Sequence, residues 1–385
     1  MSDQEESSID IVREATRALA GRFSKDYWYE KDEKHEYPWE CVRAFGEGGW
    51  LGIMFPEEYG GLGLGLQEAA VMMHEIARSG GMAGASAIHS YVFPPAPIVK
   101  YGSDEMKQKY LPKLATGEML TCFAITEPTA GVDTSRITTR AEKVDGGWRI
   151  NGQKVFISNA ANAQRMVLLA RTSPRDPEKP LRGMTMFFAE MGDAMTLREI
   201  PKLGRAAVDT NEVFIDNLFV ADEDVIGEVG KGFHYIIDGL NPERICVAME
   251  GIGIGRAALE LGVEYAKNRV VFDRPIGQNQ AVAHPLADSW IRLEAAELAA
   301  MKAAKLFDEN KPCGSEAAVA KYLGAEAGFD ACDRAFATLG GYAYAKEYHI
   351  ERLWREVRLL RNAPFSQEMV RNFVSQNVLG LPRSY

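Results

Sequence analysis

An apolar run closes on a hydroxyl, an acid, a proline and a small-residue turn at Phe123-Ala124-Ile125-Thr126-Glu127-Pro128-Thr129-Ala130-Gly131-Val132-Asp133. Backbone groups at Phe123, Ile125 and Thr126, with the Thr126 hydroxyl, suit the polar edge of a flat and largely apolar ring. The turn Ala130-Gly131-Val132 lets a backbone approach an anionic group such as a pyrophosphate closely. A second run, Trp148-Arg149-Ile150-Asn151-Gly152-Gln153-Lys154-Val155-Phe156-Ile157-Ser158-Asn159, follows it. Its Phe156, Ile157 and Ser158 could cover the opposite flank of such a ring. Taken singly, each is an ordinary strand or turn residue.

A different chemistry is available at Asn241-Pro242-Glu243-Arg244-Ile245, where a carboxylate adjoins a guanidinium. A carboxylate serves as a general base when it is within reach of the acidic C–H and poorly hydrated. Asn241-Pro242-Glu243 also reads as a routine helix start, with Asn241 as N-cap, Pro242 first and an acid at the positive end of the helix dipole. His74, His89 and His284 lack metal-ligand spacing and read as structural histidines. Arg352, Arg355 and Arg358 recur at helical spacing, as a solvated or inter-helix basic face would. The Gly60–Gly65 tract is not G-x-G-x-x-G and reads as a loop before a helix over Gln67–Ser79. Gly251-Ile252-Gly253-Ile254-Gly255 reads as a place where helices approach closely.

The elements that must position these groups follow from composition and period. The 385 residues are enough for two or three packed units, and 46% hydrophobic with 25% charged residues describes a soluble globular chain. Lys and Arg number 44 against 54 Asp and Glu, a formal charge of −10, which argues against a nucleic-acid surface. Cys41, Cys122, Cys246, Cys313 and Cys332 are odd in number and form no C-x-x-C pair, so reduced thiols in a cytoplasmic protein are expected. The N-terminus carries Asp3, Glu5 and Glu6 and no apolar signal-like core, and no apolar run is long enough to span a bilayer.

Helical spacing such as Ile9-Val12-Ala15-Leu19 predicts an α-helical unit over residues 1–120. From 121 to 230 the period shifts towards two, with short strands at Val167–Ala170, Met184–Phe188 and Glu212–Ile215 between turn signals. From 231 to 385 helical spacing returns, as in Ala257-Leu261-Tyr265 and Leu293-Leu298-Met301. Helices, then strands, then helices predict an α+β multidomain chain with a compact β-domain between two helical units.

The two runs above, followed in order by Pro201-Lys202-Leu203-Gly204-Arg205 and Gly227-Glu228-Val229-Gly230-Lys231-Gly232-Phe233, resemble the acyl-CoA dehydrogenase family across nearly the whole chain. The resemblance implies an N-terminal helical domain, a middle β-barrel or sandwich domain and a C-terminal four-helix bundle, assembled as a dimer of dimers. It implies FAD, bound at Phe123, Ile125, Thr126, Gly131, Val132, Phe156, Ile157 and Ser158. Arg269, Phe272 and Gln280 match residues with which such enzymes reach a neighbouring subunit's FAD. Leu339-Gly340-Gly341-Tyr342 resembles a further FAD-facing turn, although Ala337 stands where the family often has glutamine. Ser366 and Glu368 fall in the segment that closes over the cofactor.

The implied reaction is oxidation of an acyl-CoA thioester to the trans-2-enoyl-CoA, with an electron-transfer flavoprotein as acceptor. Many members carry the catalytic base in the segment that here reads Arg361-Asn362-Ala363-Pro364-Phe365-Ser366-Gln367-Glu368. The expected glutamate position is Pro364, which can neither take a proton nor offer a backbone N–H to the thioester carbonyl. Isovaleryl-CoA and long-chain enzymes place the base immediately before an arginine on an earlier helix, and Glu243 matches that position. Val132, Asn241, Arg244 and Phe365 then face the substrate, and the bulky stretch His89–Pro95 falls where the family closes the acyl pocket. Loss of the usual base also leaves open an O₂-using oxidase or monooxygenase, a desulfinase-type relative, or a catalytically silent flavin- and CoA-binding protein.

Overall fold

A computed structural model describes residues 7–383; the acidic residues Asp3, Glu5 and Glu6 lie outside them. Six helices come first: α1 (Ser8–Ala20), α2 (Lys25–Lys34), α3 (Trp39–Glu47), α4 (Leu66–Val92), α5 (Ala96–Tyr101) and α6 (Asp104–Ala115). Eight strands follow: β1 (Thr121–Ala124), β2 (Arg140–Val144), β3 (Gly147–Ser158), β4 (Arg165–Arg171), β5 (Met184–Glu190), β6 (Met195–Glu199), β7 (Thr210–Ala221) and β8 (Val225–Ile226). The 37-residue α7 (Gly232–Asn268) leads through a small ribbon, β9 (Val270–Val271) and β10 (Arg274–Pro275), into the last helices. These are α8 (Gln280–Asp308), α9 (Gly314–Leu339), α10 (Ile350–Val357) and α11 (Gln367–Asn377). The expected α, β, α architecture is present.

The sheet runs β6-β7-β3-β2-β4-β5-β8, and β1 joins it parallel to the first half of β4. β4 is buried along its whole length and β5 along all but its last residue, so both are apolar rather than alternating. No second strand pairs with β1 among the described residues, and its other edge faces the β3 segment. The three predicted strand runs lie inside β4, β5 and β7.

Helix α7 is the axis of the C-terminal bundle, and its glycines explain how. A Cβ on Gly251 would lie 2.8 Å from the Gly324 carbonyl of α9, and one on Gly253 would lie 2.3 Å from the His74 carbonyl of α4. One on Gly255 would meet Leu293 of α8 at 2.7 Å. Three helices therefore approach α7 within the space a methyl would need, as read for this stretch. Leu293 is buried, but Leu298 projects outward, and with Trp290 and Ile291 it leaves an uncovered apolar stripe on α8.

Two expectations about helices are corrected. The helix read over Gln67–Ser79 continues to Val92 through a break at Gly81 (φ 66°, ψ −154°). The break is satisfied from α10: Met82 N–H donates to Glu356 Oε2 at 2.7 Å, and Arg352 Nη1 donates to the Gly80 carbonyl at 3.0 Å. Arg352 and Glu356 are buried and pair at 3.2 Å, which fits the inter-helix reading of the arginine series. The second correction concerns Asn241-Pro242-Glu243. Pro242 lies ten residues beyond Gly232, inside α7, so these residues start no helix and the dipole argument does not apply to Glu243. Capping residues signal a start only when the preceding chain is not already helical, and packing against α4 and α9 carries α7 through the proline.

Gly81→Ala places a side chain in left-handed backbone with Cβ 2.4 Å from Glu356 Oε2. We expect a stability loss of about 2–4 kcal/mol, read as a lower midpoint in chemical denaturation.

Candidate active site

The loop after β1 is built on a buried ion pair. Glu127 accepts from the backbone N–H groups of Thr138 (2.7 Å) and Thr139 (3.0 Å) and from the Thr138 hydroxyl (2.7 Å). Lys154 of β3, fully buried, donates to Glu127 Oε1 at 3.0 Å and to the Ile125 carbonyl at 3.0 Å. Burial pushes the Glu127 carboxyl up, but Lys154 and the threonine donors outweigh it and hold it at about 2. Burial drives the Lys154 ammonium down to about 8, with Glu127 opposing. A tight turn closes the loop, with Glu127 N–H donating to the Ala130 carbonyl and Ala130 N–H to that of Glu127.

This pins a shelf. Val155 N–H donates to the Thr126 carbonyl at 3.0 Å, and the Thr126 hydroxyl donates to the Val155 carbonyl at 2.6 Å. Val132 is 71% exposed and Phe156 67% exposed, although both are apolar and their neighbours Ile125 and Ile157 are buried. A Cβ on Gly131 would find nothing within 4 Å. Open apolar surface, a free backbone at a turn and an unpaired strand edge fit a flat ring with a phosphate-bearing tail.

Helix α4 delivers the next groups. Its second half is stapled to the β-domain: Ser90 receives Asn159 Nδ2 at 2.5 Å, and the Thr121 hydroxyl donates to the Ser90 carbonyl at 3.2 Å. Arg205, buried and with its guanidinium lowered by burial, donates to Ser86, Ser158 and Thr210. Ser158, expected beside the cofactor, is thus held by Arg205 through its hydroxyl. Phe93 packs edge-on to Phe123 with ring centroids 4.8 Å apart. His89 lies 5.8 Å from Phe93, centroid to centroid.

Both ring nitrogens of His89 have partners, as the structural reading expects. Its Nε2 lies 2.7 Å from Glu243 Oε2, and its Nδ1 lies 2.6 Å from Glu250 Oε1. Burial pushes the imidazole down, but the two carboxylates outweigh it and raise it well above the usual range. The Glu243 side chain keeps 12% of its surface exposed. Glu250 carried no signal in the sequence beyond an acid in an apolar helix; its seven-residue spacing from Glu243 could have pointed to it.

Arg244 stacks over Phe365 (4.7 Å) and Phe373 (5.6 Å) and donates to Asn241 Oδ1 at 3.2 Å. Burial lowers its guanidinium, and no carboxylate pairs with it among the described residues. The Phe365 carbonyl accepts from buried Lys321, which burial pushes down to about 8. Pro364 is exposed; Ser366 caps α11 by accepting from Met369 N–H at 3.3 Å, and Glu368 is exposed beside Arg371.

A second group of expected residues is not brought to this place. Arg269 ends α7, and 268 − 243 = 25 helical residues put it about 38 Å along the axis from Glu243. Its guanidinium lies 5.6 Å from the Tyr342 ring, next to Gly340 and Gly341. Phe272 is 94% exposed with φ 52°, and Gln280 is exposed at the start of α8.

Family models match along the chain: Acyl-CoA dehydrogenase, N-terminal domain, at residues 6–118; middle domain at 122–218; C-terminal domain at 230–379. The chain belongs to the acyl-CoA dehydrogenase family. It is 38% identical over 387 residues to acyl-CoA dehydrogenase FadE12 of Mycobacterium tuberculosis, covering 99% of this chain and 98% of that one. The solved glutaryl-coenzyme A dehydrogenase–glutaryl-CoA complex superposes with a TM-score of 0.93 at 32% identity, covering 100% and 98%. The FAD complex of PigA superposes at 0.92 with 25% identity, covering 99% and 100%. The protein is therefore an FAD-dependent oxidoreductase of acyl-CoA thioesters, and the Thr126–Phe156 shelf fits that cofactor.

Glu127→Gln removes an acid whose carboxyl lies below its usual value of 4.5 in the fold. The stabilisation is complete above about 4.5 and lost as pH falls towards about 2. We expect this variant to lose about 3–5 kcal/mol at neutral pH, to show a flatter acid limb, and to retain less FAD on gel filtration.

Proposed function

We propose that Glu243 is the general base that removes the α-proton of an acyl-CoA thioester, giving the trans-2-enoyl-CoA. The observation that carries this reading is its position: a carboxylate within α7, mostly withdrawn from water and paired with His89, whose own ring lies beside Phe93. Pro364 offers no proton acceptor, so the segment that often holds the base has none at that position. FAD, when bound along Phe123, Ile125, Thr126, Gly131, Val132, Phe156, Ile157 and Ser158, supplies the hydride acceptor. Arg244 and Asn241 line the substrate side with Val132 and Phe365, where an uncompensated guanidinium favours the electron-rich thioester. Phe93 and Phe123 narrow the acyl side, which supports short acyl groups over long ones. The working division is 1–120, 121–230 and 231–385, with the site where the three meet.

Arg269, Phe272, Gln280, Gly340 and Gly341 lie too far along α7 to serve the cofactor that faces Glu243. We assign them to the FAD of a second copy, with Ser366 and Glu368 near the closing segment. The bare apolar stripe Trp290-Ile291-Leu298 on α8 supports a dimer of dimers. An electron-transfer flavoprotein is the proposed acceptor, and the five buried free thiols suit a cytoplasmic location.

Glu243→Gln should retain FAD and lower anaerobic flavin reduction by an acyl-CoA roughly 10²-fold or more. Near-normal bleaching in that variant defeats the assignment. Arg269→Ala should lose FAD and assembly together, measured by flavin absorbance and light scattering. An intact, fully loaded oligomer counts against the shared site.

A further inference from the structure

Glu243 and Glu250 stand seven residues apart, two turns of α7, and so share a face. His89 reaches between them from α4, with both ring nitrogens against carboxylate oxygens at 2.7 and 2.6 Å. A neutral imidazole has one N–H and would set its bare nitrogen against an anion, whereas the imidazolium donates to both. The raised His89 agrees with this geometry. The other groups facing the triad are Cys246, whose buried thiol is pushed up by burial and by both carboxylates, and the buried Arg205, which feels Glu250. Packing alone does not require three largely withdrawn charges, since apolar residues fill such space at less cost.

We propose that His89 is a positioning residue for Glu243: it fixes Oε2 by a charge-assisted hydrogen bond and leaves Oε1 as the oxygen presented to the substrate's α-carbon. Glu250 holds the other ring nitrogen, so the imidazole cannot swing away. In the step this serves, the α C–H bond breaks, its proton bonds to Oε1, and its electron pair stays on the carbon skeleton to become the new double bond as hydride leaves the β-carbon for the acceptor that bound FAD would supply. His89 keeps its protons throughout. The proposal rests on Glu243 being the base.

The test is anaerobic flavin reduction by whichever of butyryl-, isovaleryl- and glutaryl-CoA bleaches the wild type fastest. His89→Phe, which keeps the ring and removes both donors, should lower the maximal rate about 10- to 100-fold. FAD content and the half-saturating thioester concentration should change less than about twofold. His89→Gln, with one amide donor left, should regain part of the rate. Combining His89→Phe with Glu243→Gln should cost no more than Glu243→Gln alone, because nothing remains to be aimed. A wild-type rate in FAD-loaded His89→Phe, or losses that multiply in the double variant, overturns the proposal. If His89→Phe does not hold FAD, Glu250→Gln decides instead: a lowered maximal rate supports the proposal and a wild-type rate overturns it. Wild-type reduction by Glu243→Gln alone would instead sink the base assignment, and is seen before any His89 variant is made.

Discussion

Three charges share a buried seam between α4 and α7, and most of the surrounding architecture exists to keep them there. His89 between Glu243 and Glu250 is stable only if the two helices hold a fixed distance and rotation, because charge-assisted bonds below 3 Å tolerate little drift. Gly253 lets α7 come within contact of the α4 backbone. α4 breaks at Gly81 between its contacts with α7 at His74 and at His89, and the buried Arg352–Glu356 pair satisfies the backbone groups the break exposes. Removing any of these supports leaves a carboxylate buried without its cation.

The same economy appears on the β-domain side. Glu127 and Lys154 do for the loop after β1 what His89 does for α7: an ion pair, saturated with backbone donors, fixes a segment that has little core of its own. Arg205 then joins the two regions, since its hydroxyl partners come from α4, β3 and β7. These part-buried contacts fix the shelf relative to α4, which suits the proposed reaction, where a hydride acceptor and a proton acceptor must be in register.

Helix α7 joins two separate groups of residues. Glu243 and Arg244 lie in its first part, while Arg269 and the turn at Phe272 stand at the distant end with little cover. A long helix that ends on a guanidinium and a bare aromatic offers those groups to a neighbouring subunit, as proposed above. The exposed stripe on α8 has the apolar character that such contacts require.

The sequence by itself determined the order of helices, strands and helices, because periods of 3.6 and 2 are local properties of side-chain placement. It also determined that Pro364 offers no base, since residue identity alone excludes proline from proton transfer. Tertiary structure decided whether Glu243 begins a helix or sits inside one. The local capping signals are the same in both cases, and only packing carries α7 through Pro242. It alone revealed the contacts of His89, whose partner is 154 residues away, and of Glu127, whose lysine lies 27 residues on. Charges meet in folded space, and neither spacing nor composition records which histidine will lie between which acids.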